Sequence, residues 1–270
     1  MKYHFFDARY EGFSSDLFSV PHIVFIVLVF LLVPTISVLL RKKASAEKID
    51  KFLKIYSIVM PVLEAAKITY STLHDFAAGQ PFNVEGILPL YTCSLFMYTL
   101  IVAAWTKGKT KEYSLSFITT VSLVSGAIGV VYCNGLNFHP FWTFGAFYSL
   151  FFHSSMFGVG TFLLVSGYKK LDWIDVFKAW VPLLMLALVS TPVNYEYGAD
   201  YMQTYSGSGV PFYNSLAATL AEHRLRFVYT IIMLLTYIPM AAVVVSVYKL
   251  ISKTVNGKAK GKPAALDIVS

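Results

Sequence analysis

Seven long apolar stretches run through this 270-residue chain and leave little room for anything else. About 20 apolar residues suffice for one helical crossing of a bilayer. Inside lipid, every backbone group must be satisfied internally, so only helices and closed barrels can span. A barrel would show alternating segments of about ten residues, whereas these stretches are continuous. The predicted fold class is therefore all-α, a polytopic membrane bundle of seven transmembrane helices. Composition agrees: hydrophobic residues make up 56% of the chain and charged ones 14%, against roughly a quarter charged in a soluble domain.

The spans are predicted near 18–40, 52–72, 86–105, 113–133, 144–167, 174–194 and 226–250. Residues 1–253 are read as one transmembrane domain, and 254–270 as a disordered cytoplasmic tail. The connecting loops sort by charge. Arg41, Lys42, Lys43, Lys48 and Lys51 follow the first span; Lys107, Lys109 and Lys111 follow the third; Lys169 and Lys170 follow the fifth; and Lys253, Lys258, Lys260 and Lys262 follow the last. The alternate loops, 73–85, 134–143 and 195–223, hold no Lys or Arg. This positive-inside pattern predicts an outside N-terminus and a cytoplasmic C-terminus. The net charge of +7 thus reads as a topology signal and not as a nucleic-acid footprint. The N-terminal segment lacks the basic region and cleavage site of a signal peptide, so the first stretch is expected to be retained. There is no internal repeat.

Polar side chains inside these stretches are the candidates for function, because ionisable groups in a bilayer are costly. They are Glu64, Lys67, Cys93, His153 and Asn194. With a helical rise of about 1.5 Å per residue, Cys93 is expected about 10 Å below the outer surface and His153 about 15 Å below it. Glu64 falls about 12 Å before the outer end of its span, with Lys67 on nearly the same face. Asn194 closes the sixth span. The loop 195–223 is long, aromatic and glycine-bearing, which suits a lid, and Tyr201 is its substrate-contact candidate. Arg224 and Arg226 follow at the mouth of the last span, where a cation pair suits a lipid phosphate.

Each signal has a plainer reading. A lone membrane cysteine is commonly a small packing residue, and a lone histidine can simply bond a neighbouring helix. Glu64 and Lys67 can neutralise each other, or Glu64 can orient His153. A Cys93–Cys133 disulfide is a further possibility. Gly126, Gly129, Gly158 and Gly160 suit close helix packing. A Cys and a His at one depth on different helices can also form a nucleophile–base pair, since the thiolate is the reactive form. The two cysteines have no metal-ligand spacing, so no metal is expected. No nucleotide or other cofactor is implied. The last span has no lysine at mid-depth for a retinal linkage.

An acidic residue in the second span (Glu64) precedes Leu88, Pro89, Leu90 and Cys93. A fifth-span histidine (His153) follows, then Asn194, Gly198, Ala199, Tyr201 and Met202. In that order these residues resemble the YwaF-type integral membrane family of bacteria. Its eukaryotic relatives are membrane cysteine acyltransferases acting on ether phospholipids. The resemblance covers roughly residues 55–250. It implies an acylated cysteine at Cys93 assisted by His153, with membrane phospholipid and lysolipid as partners, in the bacterial plasma membrane. Tyr91 stands where many bacterial members have a histidine, and Asp200 where they have an asparagine, so the resemblance implies different substrate contacts at these two positions. The expected function is a lipid acyltransferase working through a thioester, with Glu64, Lys67, Asn194, Tyr201, Arg224 and Arg226 in support. Two alternatives stand beside it. One is an intramembrane ester hydrolase, for which Thr92 is a second nucleophile candidate. The other is a non-enzymatic transporter or receptor.

Overall fold

A computed structural model describes residues 4–7, 13–77, 79, 84–207 and 210–260, with side chains described to residue 254. Among the described residues the chain is helical throughout, with no strand. The helices are α1 (Val20–Leu40), α2 (Ala46–Ala77), α3 (Val84–Ile87), α4 (Ser94–Trp105), α5 (Gly108–Thr119), α6 (Val121–Val131), α7 (Phe144–Val165), α8 (Ile174–Tyr197), α9 (Pro211–Glu222), α10 (Arg226–Leu235) and α11 (Tyr237–Lys260).

Five stretches are long and apolar enough to cross a membrane: Val20–Lys43, Gly108–Asn137, Phe144–Val165, Ile174–Tyr197 and Arg226–Thr254. The other two expected spans fall short for different reasons. α2 has 32 residues, but Lys54, Glu64 and Lys67 make it too polar. α4 is apolar but only 12 residues long, because the expected helix from 86 to 105 is broken. Pro89 supplies no N–H, and the Leu90 N–H turns back to the Leu88 carbonyl at 2.9 Å. Helix resumes only at Ser94, with Cys93 as its N-cap.

Two further predicted spans are bent. α5 and α6 meet at Thr120, whose φ of −124° and ψ of −91° are not helical. The Thr119 and Thr120 hydroxyls donate to the Leu115 and Ser116 carbonyls, a back-bonding that bends helices. α10 and α11 meet at Thr236. The break frees the Leu234 carbonyl, which accepts the Trp180 indole N–H from α8 at 2.9 Å. α11 runs in helix to Lys260, and the rest of the expected tail, residues 261–270, lies outside the described residues.

Small residues decide how the helices meet. α6 packs on α7 with Gly126 so close that a Cβ there would lie 2.6 Å from the Phe157 nitrogen. α1 is peripheral and packs mainly on α7. It is pinned by His22, a fully buried ring that takes the Phe18 N–H at Nδ1 and faces the Val130 carbonyl at 2.9 Å through Nε2.

The loops rich in lysine gather at one end of the bundle, joined by ion pairs. Lys111 meets Asp50 at 2.7 Å, Lys169 meets Asp175 at 2.7 Å, Lys249 meets Asp172 at 2.5 Å, and Lys178 meets Glu112. The opposite end carries the tyrosine-rich loop. This loop is folded and not a bare connector: a short 3-10 turn at Tyr201–Gln203 precedes α9.

Candidate functional site

The helix break at Pro89 creates the site. It places Cys93 at the first turn of α4 instead of midway along a continuous span. The side chain is half-buried, so packing has not sealed it away.

His153 reaches the same point from α7. Its Nε2 lies 3.3 Å from the Cys93 Sγ, and its Nδ1 lies 2.8 Å from the Ser149 carbonyl oxygen. A carbonyl can only accept, so Nδ1 carries the proton. Nε2 of the neutral ring is then the acceptor for the thiol proton. The sequence alone made Glu64 the candidate to orient this ring. The group that holds it is a backbone carbonyl one turn earlier on the same helix.

Room for the imidazole comes from α6. A Cβ on Gly129 would lie 2.1 Å from the His153 Cδ2 and 2.6 Å from its Nε2. Gly129 therefore gives the ring its place, where sequence reasoning saw only helix packing. No feature of the sequence near position 129 names its partner, because the pairing of α6 with α7 sets it.

Glu64 is 4% exposed and accepts the Tyr148 hydroxyl. Lys67 is one turn along at 3.9 Å, with its Nζ 5.9 Å from the centre of the Tyr148 ring. These three form one polar group, and Tyr148 immediately precedes Ser149 on α7. On the other flank the Thr92 and Tyr237 hydroxyls are 2.6 Å apart. Both cysteines are free, and Cys133 contacts the Ser149 hydroxyl at 3.2 Å, so the disulfide alternative is not realised.

Asn194 and Tyr201 belong to a separate cluster. Both are fully buried. The Asn194 Oδ1 accepts the Tyr201 N–H at 2.9 Å, while Nδ2 donates to the Tyr201 carbonyl at 2.9 Å and the Thr204 hydroxyl at 3.0 Å. The Tyr201 hydroxyl donates to the Val84 carbonyl at 2.7 Å, and its ring meets Tyr91 edge-on with centroids 5.0 Å apart. The Asn194 amide is thus spent on the loop and does not serve as an oxyanion donor. Tyr201 is an anchor between that loop and α3. Among the five intramembrane candidates, direct side-chain contacts join Cys93 to His153 and Glu64 to Lys67, while Asn194 bonds the 201–204 turn.

The cation pair also divides. Arg224 is exposed, in a left-handed backbone conformation at φ 59°. Arg226 stands over the Tyr205 ring, its Cζ 4.1 Å from the ring centre, with its Nε buried and without a hydrogen-bond partner among the described residues. No group of three or more His, Cys, Asp or Glu side chains capable of holding a metal occurs among the described residues.

No curated protein and no solved structure matches the sequence. A family model does: its match runs from residue 17 to 253 and so takes in α1 to α10, most of α11 and both members of the dyad. With its apolar helices and its break at Pro89, the chain is an integral membrane protein that belongs to the TMEM164 family.

Proposed function

We propose that this protein is a membrane-embedded lipid acyltransferase whose nucleophile is Cys93. The observation that carries this reading is the 3.3 Å approach of the His153 Nε2 to the Cys93 Sγ, with the Nδ1 proton committed to Ser149. Nucleophile, base and orienting group stand in the order that nucleophilic catalysis requires. The likeness of the motif order to membrane cysteine acyltransferases supports the same assignment. Thr92 bonds Tyr237 and not His153, which favours sulfur over a threonine hydroxyl.

In the first half-reaction the thiol proton passes to the His153 Nε2, and the thiolate attacks the ester carbonyl of a phospholipid. Collapse of the tetrahedral adduct breaks the acyl C–O bond. The leaving lysolipid oxygen takes the proton from Nε2, and a thioester remains on Cys93. In the second half-reaction the hydroxyl of an acceptor lysolipid gives its proton to Nε2 and attacks the thioester. The thiolate leaves and is reprotonated by His153. In this reading Glu64, Lys67 and Tyr148 line the polar side of the site. Arg224 and Arg226 meet the lipid phosphate at its mouth. The tyrosine-rich end faces outward with the N-terminus, and α2 and the broken α3–α4 segment complete seven crossings.

The test uses purified protein in lipid nanodiscs with a phospholipid donor and a lysolipid acceptor. Cys93→Ala and His153→Ala are each expected to abolish acyl exchange. Mass spectrometry is expected to find a hydroxylamine-sensitive acyl adduct on Cys93 of the unaltered protein. Exchange retained by either variant would overturn the assignment.

A further inference from the structure

A large cavity lies at the opposite end of the bundle from Cys93. A cavity of about 970 Å³ opens between α1 and α11, floored by α6 and α7. Its size is at the upper end of ligand pockets, which run to roughly 1,000 Å³. Val38, Leu164, Val243 and Val247 form its apolar wall, and Arg41, Lys170 and Lys249 stand among its lining residues.

The order of these groups along the helices is that of a phospholipid. Ser252 and Lys249 lie towards the loop end of α11 and Val243 lies deeper, a run of about 13 Å from Ser252 to Val243 at the helical rise. Trp173 lies beside Lys249, with the Nζ 5.8 Å from its ring centre, and half of the Trp173 surface is exposed (51%). Tryptophan at this position marks headgroup depth. Positive charge therefore sits where a phosphate would be, with an apolar channel below it where a chain would be.

Charge selects the occupant. Lys249 is already paired with Asp172. Arg41 and Lys170 are exposed and have no carboxylate within ion-pair distance among the described residues. We propose that the groove between α1 and α11 seats an anionic phospholipid, its acyl chain against Val243 and Val247 and its headgroup on Arg41 and Lys170. The site is distinct from the chemistry at Cys93 and does not depend on it.

The probe is phosphatidylglycerol against phosphatidylcholine of the same chains, added to purified full-length protein in detergent and counted by native mass spectrometry. The unaltered protein is expected to retain the anionic lipid preferentially. Each basic side chain near a membrane surface is worth about fivefold in affinity, so Arg41→Gln with Lys170→Gln is expected to lose about 25-fold. Lys107→Gln with Lys109→Gln removes the same charge from exposed positions at the start of α5 outside the cavity and is expected to leave the preference intact. Val247→Trp fills the groove with every charge kept and is expected to lose the lipid too. Equal loss in the two charge pairs would mean a diffuse surface potential and overturn the site. So would an unaltered protein without preference, or a Val247→Trp variant that binds as before.

Discussion

The two ends of the bundle hold their helices with different chemistry. At the lysine-rich end, four ion pairs link loops and helix starts, and their carboxylates range from 3% to 69% exposed. At the tyrosine-rich end the links are mostly neutral hydrogen bonds: Asn194 to Tyr201, Tyr201 to Val84, Thr92 to Tyr237. The reactive pair is on the neutral side. Full charges near water cost little and give orientation in the membrane. Inside lipid a neutral donor–acceptor pair avoids the desolvation that an ion pair incurs. It also leaves Cys93 and His153 as groups that can exchange one proton without a permanent charge nearby on the same helices. Glu64 with Lys67 is the exception, and it lies within a single helix.

The lysine-rich end breaks most severely at the one pair that is buried among the described residues. Lys169 is 8% exposed and Asp175 is 2% exposed. The Asp175 carboxylate accepts from the Lys169 Nζ at 2.7 Å, the Ser116 hydroxyl at 2.6 Å and the Asp172 N–H at 2.7 Å. Removing one partner of such a pair leaves an uncompensated charge and costs about 3–5 kcal/mol. Lys169→Met is therefore expected to lower stability by that amount in an unfolding titration with dodecyl sulfate. Adding Asp175→Leu is expected to recover much of it. A single variant as stable as the parent would show that this pair does not hold α5, α7 and α8 together. Acyl exchange per folded molecule is expected to stay at the parent level.

The tyrosine-rich end is expected to respond the other way, losing chemistry before stability. Gly129→Ala places a methyl group 2.1 Å from the present position of the His153 Cδ2, so the ring must swing. Misplacing a catalytic group by about 1 Å costs on the order of 100-fold in rate. Acyl exchange should fall by about that factor while Cys93 stays intact. Gly126→Ala is the contrast. Its Cβ would meet the α7 backbone, 2.8 Å from the His153 carbonyl and 2.6 Å from the Phe157 nitrogen. It should therefore loosen the helix pair and show first as lower stability. Equal rates in Gly129→Ala and the parent would remove Gly129 from the site.

Much of this contrast can be read in the sequence, and the unread part has physical reasons. Apolar length gave the spans at α1, α7 and α8 to within a few residues, and loop lysines marked one end. Average hydropathy is blind to helix breaks, so Thr120 and Thr236 passed as interior residues of continuous spans, and Pro89 read as a local loosening of its helix where the chain in fact breaks. That mattered most at Cys93, whose position at a helix start follows from the break. The pairing of Cys93 with His153 was an expectation from depth and motif order, and the two side chains do meet. Glu64 as the orienting group was not met, because a histidine in a helix can bond the carbonyl four residues back without a second helix. Asn194 looked like a free polar group at a span end. Only the fold of the 200–204 turn reveals that its amide is fully used. Gly129 reads in the sequence only as a helix-packing glycine, since its neighbour comes from another helix.

The smallest effect sharpens the comparison by testing whether charge at the lysine-rich end stabilises the fold at all once it is exposed. Lys111 pairs with Asp50 at 2.7 Å, and the carboxylate also accepts the Tyr168 hydroxyl at 2.5 Å. The Asp50 side chain is 41% exposed, so water can replace the lysine when it is removed. Exposed pairs of this kind contribute about 0–1 kcal/mol. Lys111→Gln is expected to change stability by less than about 1 kcal/mol, and the Tyr168 bond should keep α2 against the α7–α8 loop. A loss as large as that of Lys169→Met would mean that exposure does not separate the pairs. The end would then act as one charged network. A small loss places nearly all of the electrostatic stability of this end in the single carboxylate of Asp175, and leaves the remaining lysines free to set orientation and meet lipid headgroups.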